Sequence, residues 1–231
     1  VSYLRVGFAG MYEERAAPLP YVVAWRSVTS HGSAPTRVLP DGCLDLIWRD
    51  GTVFVAGPDT TARIASSSPG SCCAALRFGA GTGPAVLGIP ACEVVDRQVS
   101  LEAVWPAVAV RAIAEAEDPL AALTAAARRR WRGTDRAMVA LGGAARAGLP
   151  VGVVAERCGL SSRQLQRRSN AAFGYGPKTL HRILRMQRAV ALARTGESFA
   201  AVSAEAGYAD QAHLAREVRA LAGVPLTALL R

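Results

Sequence analysis

Lysine is nearly absent from this chain: Lys178 stands alone among 27 basic residues, and the rest are arginine. Long apolar runs are missing too. No window approaches 18 uninterrupted apolar residues, and the first residues lack a charged start, an apolar run and a small-residue cleavage site, so a soluble cytoplasmic protein without a membrane partner is expected. The five cysteines, Cys43, Cys72, Cys73, Cys92 and Cys158, are odd in number and match no paired-thiolate zinc spacing. This argues against a disulfide framework and predicts reduced, mostly buried thiols. Histidine is scarce, with only His31, His181 and His213, and no nucleophile with a convincing base emerges, so neither an enzyme nor a cofactor is expected. The stretch GAGTG at 79–83 lacks the GxGxxG spacing and any GK[ST] sequel, and reads as a flexible turn rather than a phosphate cradle.

Apolar residues make up 51% of the 231, ample for one large or two modest packed cores. The net charge of +9 is unevenly placed: residues 133–231 hold fourteen basic against six acidic residues, and residues 1–132 thirteen against twelve. A localised positive excess points to a polyanionic partner, nucleic acid ahead of an anionic membrane.

The first hundred residues read as β structure broken by turns. In CLDLIWRDGTVFVA, two apolar runs flank Asp50-Gly51, a dipeptide suited to the positive φ angles of a tight hairpin near 43–56. Further strands are predicted at YVVAWRSVT and CCAALRF, with GPDT and SSSPGS as loops, giving a small sandwich or barrel. From Leu101 the texture turns to Ala, Leu and Arg at helical spacing, with Pro106 and Pro119 as boundaries, which predicts a helical connector. Its RRR run at 128–130 reads first as a solvated helix end. Beyond Thr134, breaks at 148–150, 174–177 and Gly196 divide an all-α domain of six or seven short helices. The expected division is therefore a β sensor or oligomerisation domain over 1–100, a connector over 101–133 and an α domain over 134–231.

One pattern occurs twice. GLSSRQLQRRSNAAFGYGP begins at Gly159, and GYADQAHLAREVRALAGVP begins 48 residues later at Gly207. Each fits a helix-turn-helix, which needs a small residue where two helices cross, a residue tolerant of positive φ in the turn, and a cap for the second helix. Ala155, Gly159 and Ser161 fill these roles first, with Leu165 as the anchor of a helix offering Arg163, Gln164, Gln166, Arg167 and Arg168. Ser203, Gly207 and Asp210 fill them again, before Gln211, His213, Arg216 and Arg219. Such side chains pair with guanine, adenine or phosphate. A lone match would weigh no more than an ordinary two-helix corner; a second copy tips the balance. Between them, GPKTLHRILRMQRAVALARTG predicts a helix opened by Pro177 and closed by Gly196. Leu180, Ile183, Leu184, Val190 and Ala191 are expected on its buried face, and Lys178, Arg182, Arg185 and Arg188 on another stripe. About 18 residues at ~1.5 Å each span about 27 Å, which with the flanking corners approaches one duplex turn of ~34 Å.

On GLSSRQLQRR, GYGPKTLHRILRMQRAVALAR and AGYADQAHLAREVRALAGVP, residues 134–231 resemble the C-terminal DNA-binding domain of AraC/XylS-type bacterial transcription regulators. The resemblance implies base contacts from Arg163, Gln166 and Arg167 in the first unit and from Gln211, His213 and Arg216 in the second. Lys178, Arg182 and Arg219 are the candidates for phosphate. It also implies operator or promoter duplex DNA and RNA polymerase as partners, with a homodimer allowed but not required. The sequence departs from the family at Ser169 and Val218, where phenylalanine is common, and Phe173 is a candidate to compensate in the first unit. Through VLPDGCLDLIW, VAGPDT, LRFGAG and LGIPA, the N-terminal half resembles a β domain that precedes such domains in a group of bacterial regulators, and no effector comes with it.

Other readings compete. Asp41, Cys43 and Asp45 with His31 can be drawn as a metal site, yet alternate residues along a strand share a face anyway, so no metal is expected. Trp25, Trp48, Trp105 and Trp131 either fill a core, the commoner use, or line a ligand pocket. A DNA-repair protein with a reactive Cys43 or Cys73 is the alternative from another class. The favoured reading is a two-domain transcription regulator, a small β domain joined by helices to a double helix-turn-helix, with a small-molecule effector as an extension and its binding residues unknown.

Overall fold

The computed structural model describes residues 5–6, 10–30 and 35–230. Among the described residues, nine strands come first: β1 (Arg5–Val6), β2 (Gly10–Ala16), β3 (Val22–Thr29), β4 (Thr36–Val38), β5 (Leu44–Arg49), β6 (Thr52–Ala56), β7 (Arg63–Ala65), β8 (Cys72–Phe78) and, after the short helix α1 (Pro84–Leu87), β9 (Gln98–Ser100). They form a six-stranded sheet in the order β2-β3-β8-β5-β6-β9 and a three-stranded sheet in the order β1-β4-β7, with every pairing antiparallel. The expected hairpin is there: Asp50 and Gly51, at φ 47° and 84°, turn β5 into β6. β3 and β8 fall where apolar content predicts them. The charged, exposed strand β2 and the three-residue strands carry no such signal.

Period-two alternation sorts the large sheet into two faces. Val22, Ala24, Leu44, Leu46, Val53, Val55, Ala74, Leu76 and Phe78 point one way into a core shared with α2 (Ala107–Ala114) and α3 (Pro119–Arg130). The predicted connector thus covers this sheet as a layer, with Trp48 Nε1 donating to the Ala114 carbonyl at 3.0 Å and Trp105 Nε1 to that of Leu87 at 3.3 Å. Pro106 and Pro119 mark the two helix starts, as expected, and Asp118 caps α3. Trp105 is buried and Trp48 and Trp131 pack against this core, whereas Trp25 points to the opposite face.

Six further helices follow: α4 (Arg136–Arg146), α5 (Val151–Arg157), α6 (Ser162–Phe173), α7 (Pro177–Arg194), α8 (Phe199–Ala206) and α9 (Gln211–Ala222). A second core joins them around α7, whose Leu180, Ile183, Leu184, Met186, Ala189 and Val190 are fully buried. Ala191, expected on that face, is exposed, because it lies one residue around the helix from Val190. The β part touches this core directly. Leu39 belongs to it, and the Gln187 side chain donates to the Pro40 carbonyl at 2.6 Å. Gly81 lies so close to Phe173 that a Cβ there would sit 2.8 Å from the ring.

Candidate nucleic-acid interface

The first unit is built as its residues require. Ala155 is buried where α5 meets the following turn, Gly159 takes φ +63°, and Ser161 caps α6. The cap is reciprocal: Ser161 Oγ accepts from the Gln164 backbone N–H, and Gln164 Oε1 accepts from that of Ser161 at 2.9 Å. Gln164 is therefore a capping residue, exposed but with its side-chain carbonyl turned back to the start of the helix. Leu165 is half-buried against the core. Behind α6, Arg168 forms a two-pronged pair with Asp135, the N-cap of α4. Burial works to raise the Asp135 carboxyl, but bonds from Arg168 and from backbone N–H groups outweigh it and hold the carboxyl low.

In the second unit Ser203 is buried, its hydroxyl donating to the Phe199 carbonyl at 2.8 Å, and Gly207 takes φ +82°. Asp210 caps α9 by accepting from the His213 N–H at 2.6 Å. The turn here is one residue longer than in the first unit, so the two helices align cap to cap with an offset of 49 residues, although the glycines repeat at 48. Cap-to-cap alignment pairs Leu165 with Leu214, Arg167 with Arg216, Arg168 with Glu217, and Gly174 with Gly223. It also sets His213 opposite Gln164, and both turn back to the start of their helices: Gln164 accepts from the cap residue, whereas His213 Nδ1 accepts from the N–H of Ala209, the residue before the cap, at 3.3 Å while its ring stands edge-on to Tyr208. His213 is thus half-buried at the start of α9, unlike its neighbours on the exposed face.

Glu217 repeats the locking role of Arg168 with reversed sign. Its buried carboxylate accepts from Arg182 Nε at 2.7 Å and from Arg185, tying α9 to α7. Burial pushes this carboxyl up, yet hydrogen bonds and charge from the two guanidiniums outweigh the desolvation and leave it below its ordinary value. Arg185 also lies over Tyr208 at 4.4 Å, and Arg188 faces Glu205 at 3.9 Å. The predicted basic stripe of α7 is thus largely spent inside the domain. Arg182 stays half-exposed in its pair, and Lys178 is exposed beside it in a groove that also touches Leu165 of α6.

What remains outward is narrow. Arg163 and Arg167 on α6, and Gln211, Arg216 and Arg219 on α9, are exposed and make no side-chain bond to any described residue. Gln166 is exposed and donates to Asn170 at 3.1 Å. Arg163, Gln166 and Arg167 share one face at spacings of three and four, and so do Arg216 and Arg219. Ser169 is fully buried with its hydroxyl 4.0 Å from Met138 Sδ, and Phe173, one turn on, is fully buried too.

The other candidates separate. Asp45 is committed to Arg77, whose Nε donates to both of its oxygens at 3.0 Å, and to Trp25 Nε1 at 2.8 Å. No group of His, Cys, Asp and Glu suited to a metal occurs among the described residues, and His31 lies outside them. The thiols are less buried than expected: Cys43 is buried and Cys73 half-buried, but Cys72, Cys92 and Cys158 are exposed, because they sit at a strand end, in a short turn and at a helix end. None is in a disulfide. No described helix is long and apolar enough to cross a membrane.

Residues 154–231 match the family described as a helix-turn-helix domain, and residues 20–100 match a domain of unknown function, DUF6597. No curated protein matches the chain. Among solved structures, a probable AraC family transcriptional regulator from Rhodopseudomonas palustris is 21% identical over 42% of this chain and 95% of its own, with a TM-score of 0.37. An apo variant of ToxT from Vibrio cholerae is 10% identical over 93% of this chain and 98% of its own, at 0.47. ToxT bound to (E)-4-(8-methylnaphthalen-1-yl)but-3-enoic acid gives 10%, 94%, 99% and 0.47.

Proposed function

We propose that this chain, whose residues 154–231 match a helix-turn-helix domain family, is a sequence-specific regulator of transcription of the AraC/XylS type whose helices α6 and α9 enter successive major grooves on one face of duplex DNA. The observation that carries the reading is the matched pair Arg167 and Arg216. Each lies six residues after a helix cap, is exposed, and sits next to a residue locked inward by an ion pair. A basic side chain held on a braced helix with no partner of its own is suited to bidentate contact with guanine.

In this reading Arg163, Gln166 and Arg167 read bases in the first half-site, and Gln211 and Arg216 in the second. His213 contributes chiefly by shaping the start of α9. Lys178, Arg219 and the half-exposed Arg182 contact phosphate, where Arg182 exchanges part of its Glu217 pairing. One chain supplies both readers, so a single copy fills an asymmetric site. The β domain over 1–100, with the helices of 101–133, serves as the regulatory part, which a small molecule biases.

Selection of bound sequences from random duplexes at stated salt, followed by titration of the selected site against a scrambled one, tests this. The selected site is expected to contain two conserved half-sites about 10 base pairs apart. Enrichment of no sequence, or of a single short half-site, would refute it.

A further inference from the structure

One basic stretch, residues 128–136, lies outside both helix-turn-helix units. Between Pro119 and Ala155 the chain has six arginines and a single acid, Asp135, and Arg168 engages both oxygens of that carboxylate. Arg128, Arg129, Arg132 and Arg136 are exposed and make no ion pair with any described residue, whereas Arg130 lies over the Trp105 ring at 4.3 Å. Arg128 and Arg129 stand in the last turn of α3, where the partial negative charge of a helix end favours cations. The fold accounts for them. It does not account for Arg136, the first helical residue of α4, whose charge faces the partial positive end of that helix with no acid in the first turn. Arg132 is equally bare: its backbone N–H donates to the Ala85 carbonyl at 2.9 Å, and its side chain has no described partner. An exposed arginine set against a helix dipole is a cost to the chain alone, and an anion from outside relieves it.

These arginines adjoin the first reader. Asp135 holds Arg168, the neighbour of Arg167 on α6, and the Ser169 hydroxyl reaches Met138 of α4, so the start of α4 lies beside α6. The far end of α4 approaches α7, where Arg188 Nη1 donates to the Ala147 carbonyl at 3.3 Å. Successive residues stand about 100° apart around a helix. Arg168, and with it the start of α4, therefore flanks the face that carries Arg163 and Arg167 and leaves that face clear.

We propose that Arg132 and Arg136 hold backbone phosphates of duplex DNA on the outer flank of the first half-site, beyond the bases that α6 reads; this rests on the reading of α6 and α9 as DNA readers. Duplex DNA carries one negative charge per ~1.7 Å of its axis, and a helix seated in the major groove has a phosphate strand along each side. Two guanidiniums without partners beside that helix match such a strand in charge, and each can grip a phosphate through two parallel N–H bonds. Contacts of this kind set affinity and register and carry no sequence information. Because the Arg132 backbone is bonded to α1 of the β part, they also hold that part near the duplex, and the complex is lopsided, reaching further along the DNA on the first side than on the second.

Anisotropy titrations of the full chain on its selected site test this, with the duplex either ending at the half-site that Arg167→Ala weakens or extended there by about half a turn, roughly 5 base pairs. That extension should tighten binding about tenfold or more, and the same extension beyond the other half-site far less. The double variant Arg132→Gln, Arg136→Gln should abolish the gain and lower the slope of log affinity against log salt by about 2, near 0.9 for each phosphate released. Stability should move the other way. Arg136→Gln alone is expected to melt at or above the wild-type temperature, since it takes a cation from a helix start, so its weaker binding is not unfolding. An extension that gains nothing, a salt slope unmoved by the double variant, or a double variant that loses binding to vesicles of anionic lipid while keeping every duplex overturns the proposal. Each of these leaves the DNA readers standing if the selected site is still bound; a wild-type chain that prefers no duplex overturns both.

Discussion

Arg167 and Arg216 occupy equivalent places on two helices, and their loss should be felt in discrimination more than in attraction. Arg167→Ala is expected to cost about 1–3 kcal/mol on the selected site and far less on random duplex, as fluorescence anisotropy at fixed salt would read. Equal losses on both would assign the residue to phosphate. Glu217 acts inward. Glu217→Gln should destabilise the folded chain by about 1–3 kcal/mol at neutral pH, because it removes bonds to two guanidiniums from a buried carboxylate. Its carboxyl is held below the ordinary 4.5, so this stabilisation is fully present above that pH and is lost as pH falls through the lowered value. Urea denaturation of both forms across that range should show their difference shrinking with acid. At this scale the sequence yields residue types but not their partners. Arg163 and Arg168 read alike on paper, and only the three-dimensional nearness of Asp135 turns Arg168 inward. His213, which the resemblance sets beside Gln211 and Arg216, is half-buried with its ring edge-on to Tyr208, a partner its residue type does not announce.

Caps and turns decide how firmly the reading helices are held. Ser161→Ala breaks the reciprocal cap of α6 and should cost about 1 kcal/mol of stability. Gly159 and Gly174 offer a sharper comparison: both have positive φ, but a Cβ at Gly159 meets open space, while one at Gly174 meets Pro58 at 3.0 Å and Val95 at 3.2 Å. Gly159→Ala should carry only the backbone penalty of about 1–2 kcal/mol, and Gly174→Ala measurably more in the same chemical denaturation assay. The helices were legible because proline, glycine and caps punctuate them, and the Asp50-Gly51 hairpin for the same reason. Strands β1, β4, β7 and β9 were not, since two or three residues give alternation nothing to repeat. Equally hidden was the register that places Asp45, Arg49, Arg77 and Trp25 on one face.

At the scale of the whole molecule, the β part, with nearly balanced charge, is bonded to an α domain that holds most of the net +9. Attraction to DNA should accordingly fall steeply with salt through counterion release. Lys178→Ala or Arg219→Ala should weaken cognate and random duplex alike, and lower the slope of log affinity against log salt by about 1. The 18-residue helix α7, buried along one side, lies between α6 and α9 in the chain, and in the proposed reading it sets the separation of the two readers. A hydroxyl-radical footprint of the single chain on its selected site measures that separation directly. Two protected patches about 10 base pairs apart on the same face are predicted, the first weakened by Arg167→Ala and the second by Arg216→Ala. One continuous patch, or two on opposite faces of the duplex, would contradict the account.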